Sequence, residues 1–331
     1  MKLKKCAALL LVSSCLLTGC TTSSAKKVDS KYVVASLEKG NKTKNIFADN
    51  LYKDIIDNSS NNSTVFNAVL QNLVDQKFPV NDDMKEDAAT IIKQIKSAYK
   101  SNYGDNYKDS LNQALTSAGY KNLSEYRQKM IKQIQYANFL LDYIDDHFDD
   151  VFNDYYQQCA PKYVSLIKIS VSDTSSPTGD ETSKLNEVKE LISNTDKSFG
   201  DIAQDYSNDS TSSKKGSLGI VDSKDTSGIA NSYGKDVFNA IEALSEGQVS
   251  DVITGDNGYY FVKVTSTDKK TLKKELKKTD IDSPLLAYDD YLQYVVYNSY
   301  KINYKDKDIK KIVQEVVNKA LEERKTERGE A

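Results

Sequence analysis

The chain has 331 residues, 45 basic and 48 acidic, with a formal net charge of −3. That length suffices for two domains of ordinary size. An acidic balance speaks against a nucleic-acid partner, which would call for a basic surface, and a single histidine, His147, leaves no imidazole set for a metal.

The N-terminus carries a basic start, Met1-Lys2-Leu3-Lys4-Lys5, an apolar run from Cys6 to Leu17, and then Thr18-Gly19-Cys20. This run is shorter than the roughly 20 apolar residues a spanning helix needs, and it meets polar sequence from Thr21 to Lys27 at once. It reads as an export signal that is removed. Leu17-Thr18-Gly19-Cys20 resembles a bacterial lipobox, which implies a signal over residues 1–19, a lipid on Cys20 and an extracytoplasmic, membrane-anchored protein. Loss of Lys2, Lys4 and Lys5 takes the net charge from −3 to about −6. Cys6 and Cys15 leave too, so Cys159 remains without a cysteine to pair with inside the chain. A Cys/His zinc site lacks ligands, and no metal or cofactor is expected.

Residues 20–35 open small and polar and read as a tether. Over 36–158 a helical domain is expected. Val65, Val69, Leu70, Leu73 and Val74 mark one apolar stripe, and Met84, Ala88, Ile91, Ile92, Ile95 and Tyr99 another. Asp83 with Glu86 has the form of a capping box, Gly104 and Gly119 stand where helices should stop, and Asn122 with Glu125 opens a helix carrying Met130, Ile134 and Leu141.

The texture changes at Cys159. Tyr163 to Val171 alternates like a strand, with Tyr163, Ser165, Ile167, Ile169 and Val171 on one face, and a loop with Pro177 and Gly179 follows. Helical patterns over Leu185–Ile192 and Phe199–Tyr206 precede Gly216-Ser217-Leu218-Gly219, a further helix, and a closing strand from Gly258 to Val264. Residues 159–267 therefore read as a small α+β domain. From 268 to 331 the chain returns to helix: Ser283-Pro284 is an N-cap and first-turn pair, and Ile309, Ile312, Val313, Val316, Val317, Ala320 and Leu321 form a stripe that needs a partner surface. The economical arrangement packs these helices onto the N-terminal helical domain, with the α+β domain inserted between the two halves.

Four stretches carry a resemblance: Ser198-Phe199-Gly200-Asp201-Ile202-Ala203-Gln204-Asp205-Tyr206-Ser207, Gly216 to Gly219, Ala243-Leu244-Ser245-Glu246-Gly247-Gln248-Val249-Ser250, and Gly258 to Val264. In order and spacing they resemble a parvulin-type peptidyl-prolyl isomerase domain, and the whole layout is similar to the PrsA-type foldase lipoproteins of Gram-positive bacteria. The resemblance implies a partner class of unfolded or partly folded exported polypeptides. It also implies two histidines on neighbouring strands faced by a Cys or Asp. Aligned on strand alternation, the histidine positions fall on Ile167 and Tyr260, while Asp209 matches the Cys/Asp position and Leu218 with Phe238 lines a proline socket.

Prolyl rotation has no covalent intermediate, only a barrier near ~20 kcal/mol from amide resonance. A catalyst must bind the twisted amide better than the planar one. Asp209 and Tyr260 are thus the candidate catalytic residues, the Tyr260 hydroxyl being offered to a substrate carbonyl, and Ile167, Leu218 and Phe238 the candidate substrate contacts. Ser207-Asn208-Asp209-Ser210 also has the composition of a simple turn, and a strand tyrosine also serves as core. His147, in an acidic run upstream, reads as a solvated helix residue. Without histidines, isomerase activity is expected to be weak or lost and chaperone-like binding to carry the function. A non-catalytic scaffold or binding lipoprotein is the alternative.

Overall fold

The computed structural model describes residues 27–39, 42–277 and 281–330. The export signal, the lipobox and Cys20 lie outside the described residues. In chain order, β1 (Lys27–Val28), β2 (Lys31–Lys39) and β3 (Lys42–Phe47) lead into α1 (Ala48–Ile56) and α2 (Asn62–Lys77). Four helices follow: α3 (Asp82–Tyr103), α4 (Tyr107–Ser117), α5 (Leu123–Asp146) and α6 (Phe148–Cys159). The mixed region comprises β4 (Lys162–Ser170), α7 (Gly179–Asn194), α8 (Phe199–Tyr206), β5 (Ser217–Val221), α9 (Ile229–Tyr233), α10 (Lys235–Ala243), β6 (Ile253–Gly255) and β7 (Gly258–Ser266). The chain closes with α11 (Lys269–Leu276), α12 (Leu292–Ser299) and α13 (Lys307–Glu327). The fold is thus α+β, a sheet domain flanked by helical segments.

Two compact units divide the described chain. One contains residues 82–290 and the other residues 27–81 with 291–330. The helical stretch expected as one domain over 36–158 is therefore split after residue 81. Its two apolar stripes have different partners: α2 buries Val65, Phe66, Leu70 and Val74, and Phe66 stacks on Tyr294 of α12 at 4.9 Å and meets Tyr297 edge-on at 5.1 Å. In contrast, α3 packs on α4 and α5.

The tether expected over 20–35 is also revised, because Lys27 onward belongs to a sheet in the order β1-β2-β3. Tyr32-Val33-Val34 is rich in the side chains that suit a pleated surface, and β2 pairs antiparallel with β3 from Val33↔Phe47 onward. In this same unit α13 packs along α2 and buries Ile312, Val313, Val317 and Ala320. Asp306 caps it, accepting from the backbone N–H of Asp308 at 2.8 Å and Ile309 at 3.0 Å.

In the larger unit, Asn122 caps α5 by accepting from Glu125 N at 2.9 Å, and Glu125 reaches back to Lys121 N at 2.7 Å. Asp83 is not a cap, since α3 already starts at Asp82. Ser283 accepts from Leu285 N at 3.3 Å, but Pro284 opens only a 3-10 turn and the next α-helix waits until Leu292. His147 joins α5 to α6, exposed and stacked on Tyr143 at 4.1 Å.

The four-stranded sheet has the order β5-β4-β7-β6 with every pairing antiparallel. Helices cover both faces. Ile167, Ile169 and Phe261 pack against Leu185 and Val188 of α7 and Phe199, Ile202 and Ala203 of α8. On the other face, Val164, Leu166, Tyr260 and Val262 pack against Ile229 and Tyr233 of α9 and Val237 and Ile241 of α10. Lys162 fastens α10 to the sheet by donating from Nζ to the carbonyls of Ile241, Glu242 and Leu244 at 3.0, 2.6 and 3.1 Å, the last-turn acceptors a helix leaves open.

Candidate functional site

The two central strands set the site. Along β4 side chains alternate between faces, and the register pairs Lys168 with Tyr260 and Ile167 with Phe261. Ile167 is fully buried under α7 and α8, on the face opposite Tyr260. It is therefore not a substrate contact on the Tyr260 side; the residue that faces Tyr260 is Lys168, half-buried, with Nζ 5.6 Å from the centre of the Tyr260 ring.

Tyr260 itself is buried, and its hydroxyl donates to Asn257 Oδ1 at 2.7 Å within its own hairpin. That bond turns the hydroxyl away from the carbonyl-donor role expected of it. Its ring meets Tyr233 edge-on at 6.1 Å, and the Tyr233 hydroxyl donates to Asp209 Oδ1 at 3.3 Å. Burial, and then the Asp209 charge, push the Tyr233 phenol above its ordinary range, and burial followed by Asp209 and Asp256 does the same to Tyr260. Both rings are neutral donors at any ordinary pH.

Asp209 is held by its own turn, accepting on Oδ1 from Thr211 N at 2.9 Å and Thr211 Oγ1 at 2.8 Å. The turn is stapled to β4 beside Lys168: Lys168 N donates to Ser207 Oγ at 3.0 Å, and Asn208 N donates to the Lys168 carbonyl at 2.8 Å. Asp209 is thus a turn residue, as the composition of its neighbours suggested, whose carboxylate also accepts from Tyr233. Leu218 and Phe238 are half-buried and pack against the same cluster as Tyr233 and Tyr260. A polar cavity of about 580 Å³ opens beside Tyr233 and Tyr260, which line it with Asp236, Asp256 and Asn257 among others.

Four of the five expected site residues, Asp209, Leu218, Phe238 and Tyr260, therefore gather on one face. Lys168 and Tyr233 escaped the sequence reading. For Lys168 the missed signal is that β4 is apolar at 164, 166, 167 and 169, a strand buried on both faces, in which the lone lysine marks the open end of one face.

The PPIC-type PPIase (rotamase) family profile matches residues 166–266, the stretch that carries this sheet and these side chains. Over 141 residues, 40% of this chain, the sequence is 32% identical to the foldase protein PrsA of Staphylococcus epidermidis and equally so to that of Staphylococcus aureus. The matched stretch spans 41% of the length of those relatives. Among solved structures, PrsA from Bacillus subtilis aligns over 85% of this chain and 98% of its own with 21% identity and a TM-score of 0.39. Residues 166–266 thus carry a parvulin-type domain, and over 141 residues the chain is similar to PrsA foldases.

Proposed function

We propose that the protein is an extracytoplasmic foldase, held at the membrane by a lipid on Cys20, that binds unfolded or partly folded exported polypeptides and has little or no prolyl isomerase activity. The observation that carries this reading is the Lys168–Tyr260 cross-strand pair on the face where the half-buried Leu218 and Phe238, the expected proline socket, pack. A socket for an apolar ring next to polar groups suits an Xaa-Pro segment, while residues 160–267 contain no imidazole. The sole histidine, His147, belongs to the α5–α6 junction. PrsA of the matched relatives is named a foldase.

A second feature favours binding over catalysis. In the smaller unit an open groove of about 440 Å³ is lined mainly by apolar side chains, Tyr52, Ile55, Val69, Leu73, Ile302 and Ile309 among them. Tyr52 and Ile55 on its α1 side are exposed. Exposed apolar surface of this kind suits apolar segments that a folded client would bury. No helix among the described residues is long and apolar enough to cross a membrane.

The test pairs two assays on the mature chain: suppression of aggregation of an unfolded secreted protein, and cis–trans exchange of unstructured proline peptides. Suppression with little or no rate enhancement is expected. Absence of both activities would leave a scaffold, and strong catalysis would show that imidazoles are dispensable on this face.

A further inference from the structure

The polar groups around the socket are not equally available to a substrate. The Tyr260 hydroxyl is committed to Asn257 and the Tyr233 hydroxyl to Asp209. Asp209 is a turn carboxylate that only accepts. Lys168 differs: its backbone is tied to Ser207 and Asn208, while its ammonium lies over the Tyr260 ring and, among the described residues, has no ion-pair partner. Three N–H donors on a four-carbon stem thus stand over Tyr260, on the face where Leu218 and Phe238 pack, at a half-buried position.

Resting on the foldase reading, we propose that Lys168 is a substrate-binding residue that donates to the carbonyl oxygen preceding a bound proline, and that this contact makes the face a holding site for Xaa-Pro segments instead of a rotamase. The placement fits. Leu218 sits at the β5 bulge next to Val164 and Ser165, three residues along β4 from Lys168, or roughly 10 Å at the rise of a strand. A proline ring in the socket, its preceding carbonyl and the lysine stem together span that gap. The acceptor is a neutral carbonyl and not a substrate carboxylate, because Asp209 and Asp256 lie close enough to Tyr260 to act on its phenol and would repel an anion.

The consequence for rotation follows from the amide itself. In the planar state resonance places partial negative charge on the carbonyl oxygen, and twisting the C–N bond removes it. A cation on that oxygen therefore stabilises the planar cis and trans forms more than the twisted state, the reverse of what catalysis demands. Lys168 strengthens binding and raises the barrier of the bound peptide.

The experiment compares the mature wild-type chain with K168M, which keeps the stem, and K168R, which keeps a donor. Affinity for a fluorescein-labelled Ala-Ala-Pro-Phe peptide is read by anisotropy, and cis–trans exchange of the saturated complex by exchange NMR. K168M is expected to weaken affinity about tenfold, the scale of a lost charge-assisted hydrogen bond, while bound-state exchange stays constant or quickens. K168R restores affinity, and a matched peptide with alanine for proline responds little to either change. Unchanged affinity in K168M overturns the proposal, as does a fall in affinity and exchange together. If the wild-type chain binds no proline peptide yet still suppresses aggregation, the holding site is refuted while the chaperone part of the foldase reading stands. Unaltered far-UV circular dichroism and urea midpoint confirm that K168M folds.

Discussion

Gly216 closes the loop that carries Asp209 and Leu218 to the site, so replacing it with alanine tests the local architecture. Its carbonyl accepts from Leu166 N at 2.8 Å and its N–H donates to Thr211 O at 2.9 Å, with φ at +76°. An added Cβ would stand 2.5 Å from the Leu166 carbonyl oxygen and 2.8 Å from Ala203 Cβ. The left-handed backbone costs an alanine about 1–2 kcal/mol, and forced overpacking against a central strand and α8 adds about 1–3 kcal/mol, for a total of roughly 2–5 kcal/mol against a domain stability of roughly 5–15 kcal/mol. Gly219, three residues on, is the control: φ is +84° and nothing lies within 4 Å of its added Cβ, so G219A incurs only the backbone part, about 1–2 kcal/mol. Urea unfolding of both variants followed by circular dichroism should place the midpoint of G216A clearly below that of G219A, with loss of proline-peptide binding in G216A. Equal midpoints would refute the claim that Leu166 and Ala203 crowd this position.

Asp222 is fully buried and collects the hydroxyls of Tyr155 (2.8 Å) and Thr226 and the backbone N–H of Lys224 (3.0 Å); D222A should cost about 3 kcal/mol or more by orphaning several donors at once, Y155F less, and the double variant less than their sum, as read from urea midpoints. Glu181 accepts from Thr178 N at 2.7 Å and Ser172 N at 2.8 Å, which with the two hydroxyls holds its carboxyl down at about 2. Its folded value is depressed, so its contribution to anchoring the N-terminus of α7 is complete above the ordinary carboxylate range and is lost as pH falls through about 2; amide exchange at Ser172 and Thr178 should rise over that window in the wild-type chain and show no such step in E181Q. Ile55 is 46% exposed on the apolar groove, so I55D should leave the fold intact and reduce aggregation suppression, while a proline-peptide titration stays unchanged.

What the sequence could reveal depended on whether one face or two were buried. Helices with a single apolar stripe and polar caps declared themselves: Asn122 with Glu125 does at the start of α5 what its spacing announced. Thr178 and Glu181 form an equally complete capping box, yet the pattern over Leu185–Ile192 drew attention to the middle of α7 and left its first turn as loop. In β4 the alternation rule fails because both faces are apolar, so Ile167 and Lys168 could be told apart only by the register to β7. The strands β2 and β3 were illegible for the opposite reason: Lys42-Thr43-Lys44-Asn45 is almost wholly polar, and the hairpin is fixed by its pairing more than by any buried row. The division after residue 81 likewise depends on which helix each stripe meets, information that periodicity does not contain.

The histidine question is also a question about what a ring does when it is held. Tyr260 has the shape to replace an imidazole at a strand position, but it spends its hydroxyl on Asn257, its edge contact on Tyr233 and its face on the Lys168 ammonium. A group so committed forms a wall, not an acid, a base or a mobile donor. As proposed, walls and a fixed cation recognise the shape and charge of a planar Xaa-Pro amide, and neither distinguishes the twisted amide in its favour. In the proposed holding site, binding free energy on this face serves retention of a chain and not rotation.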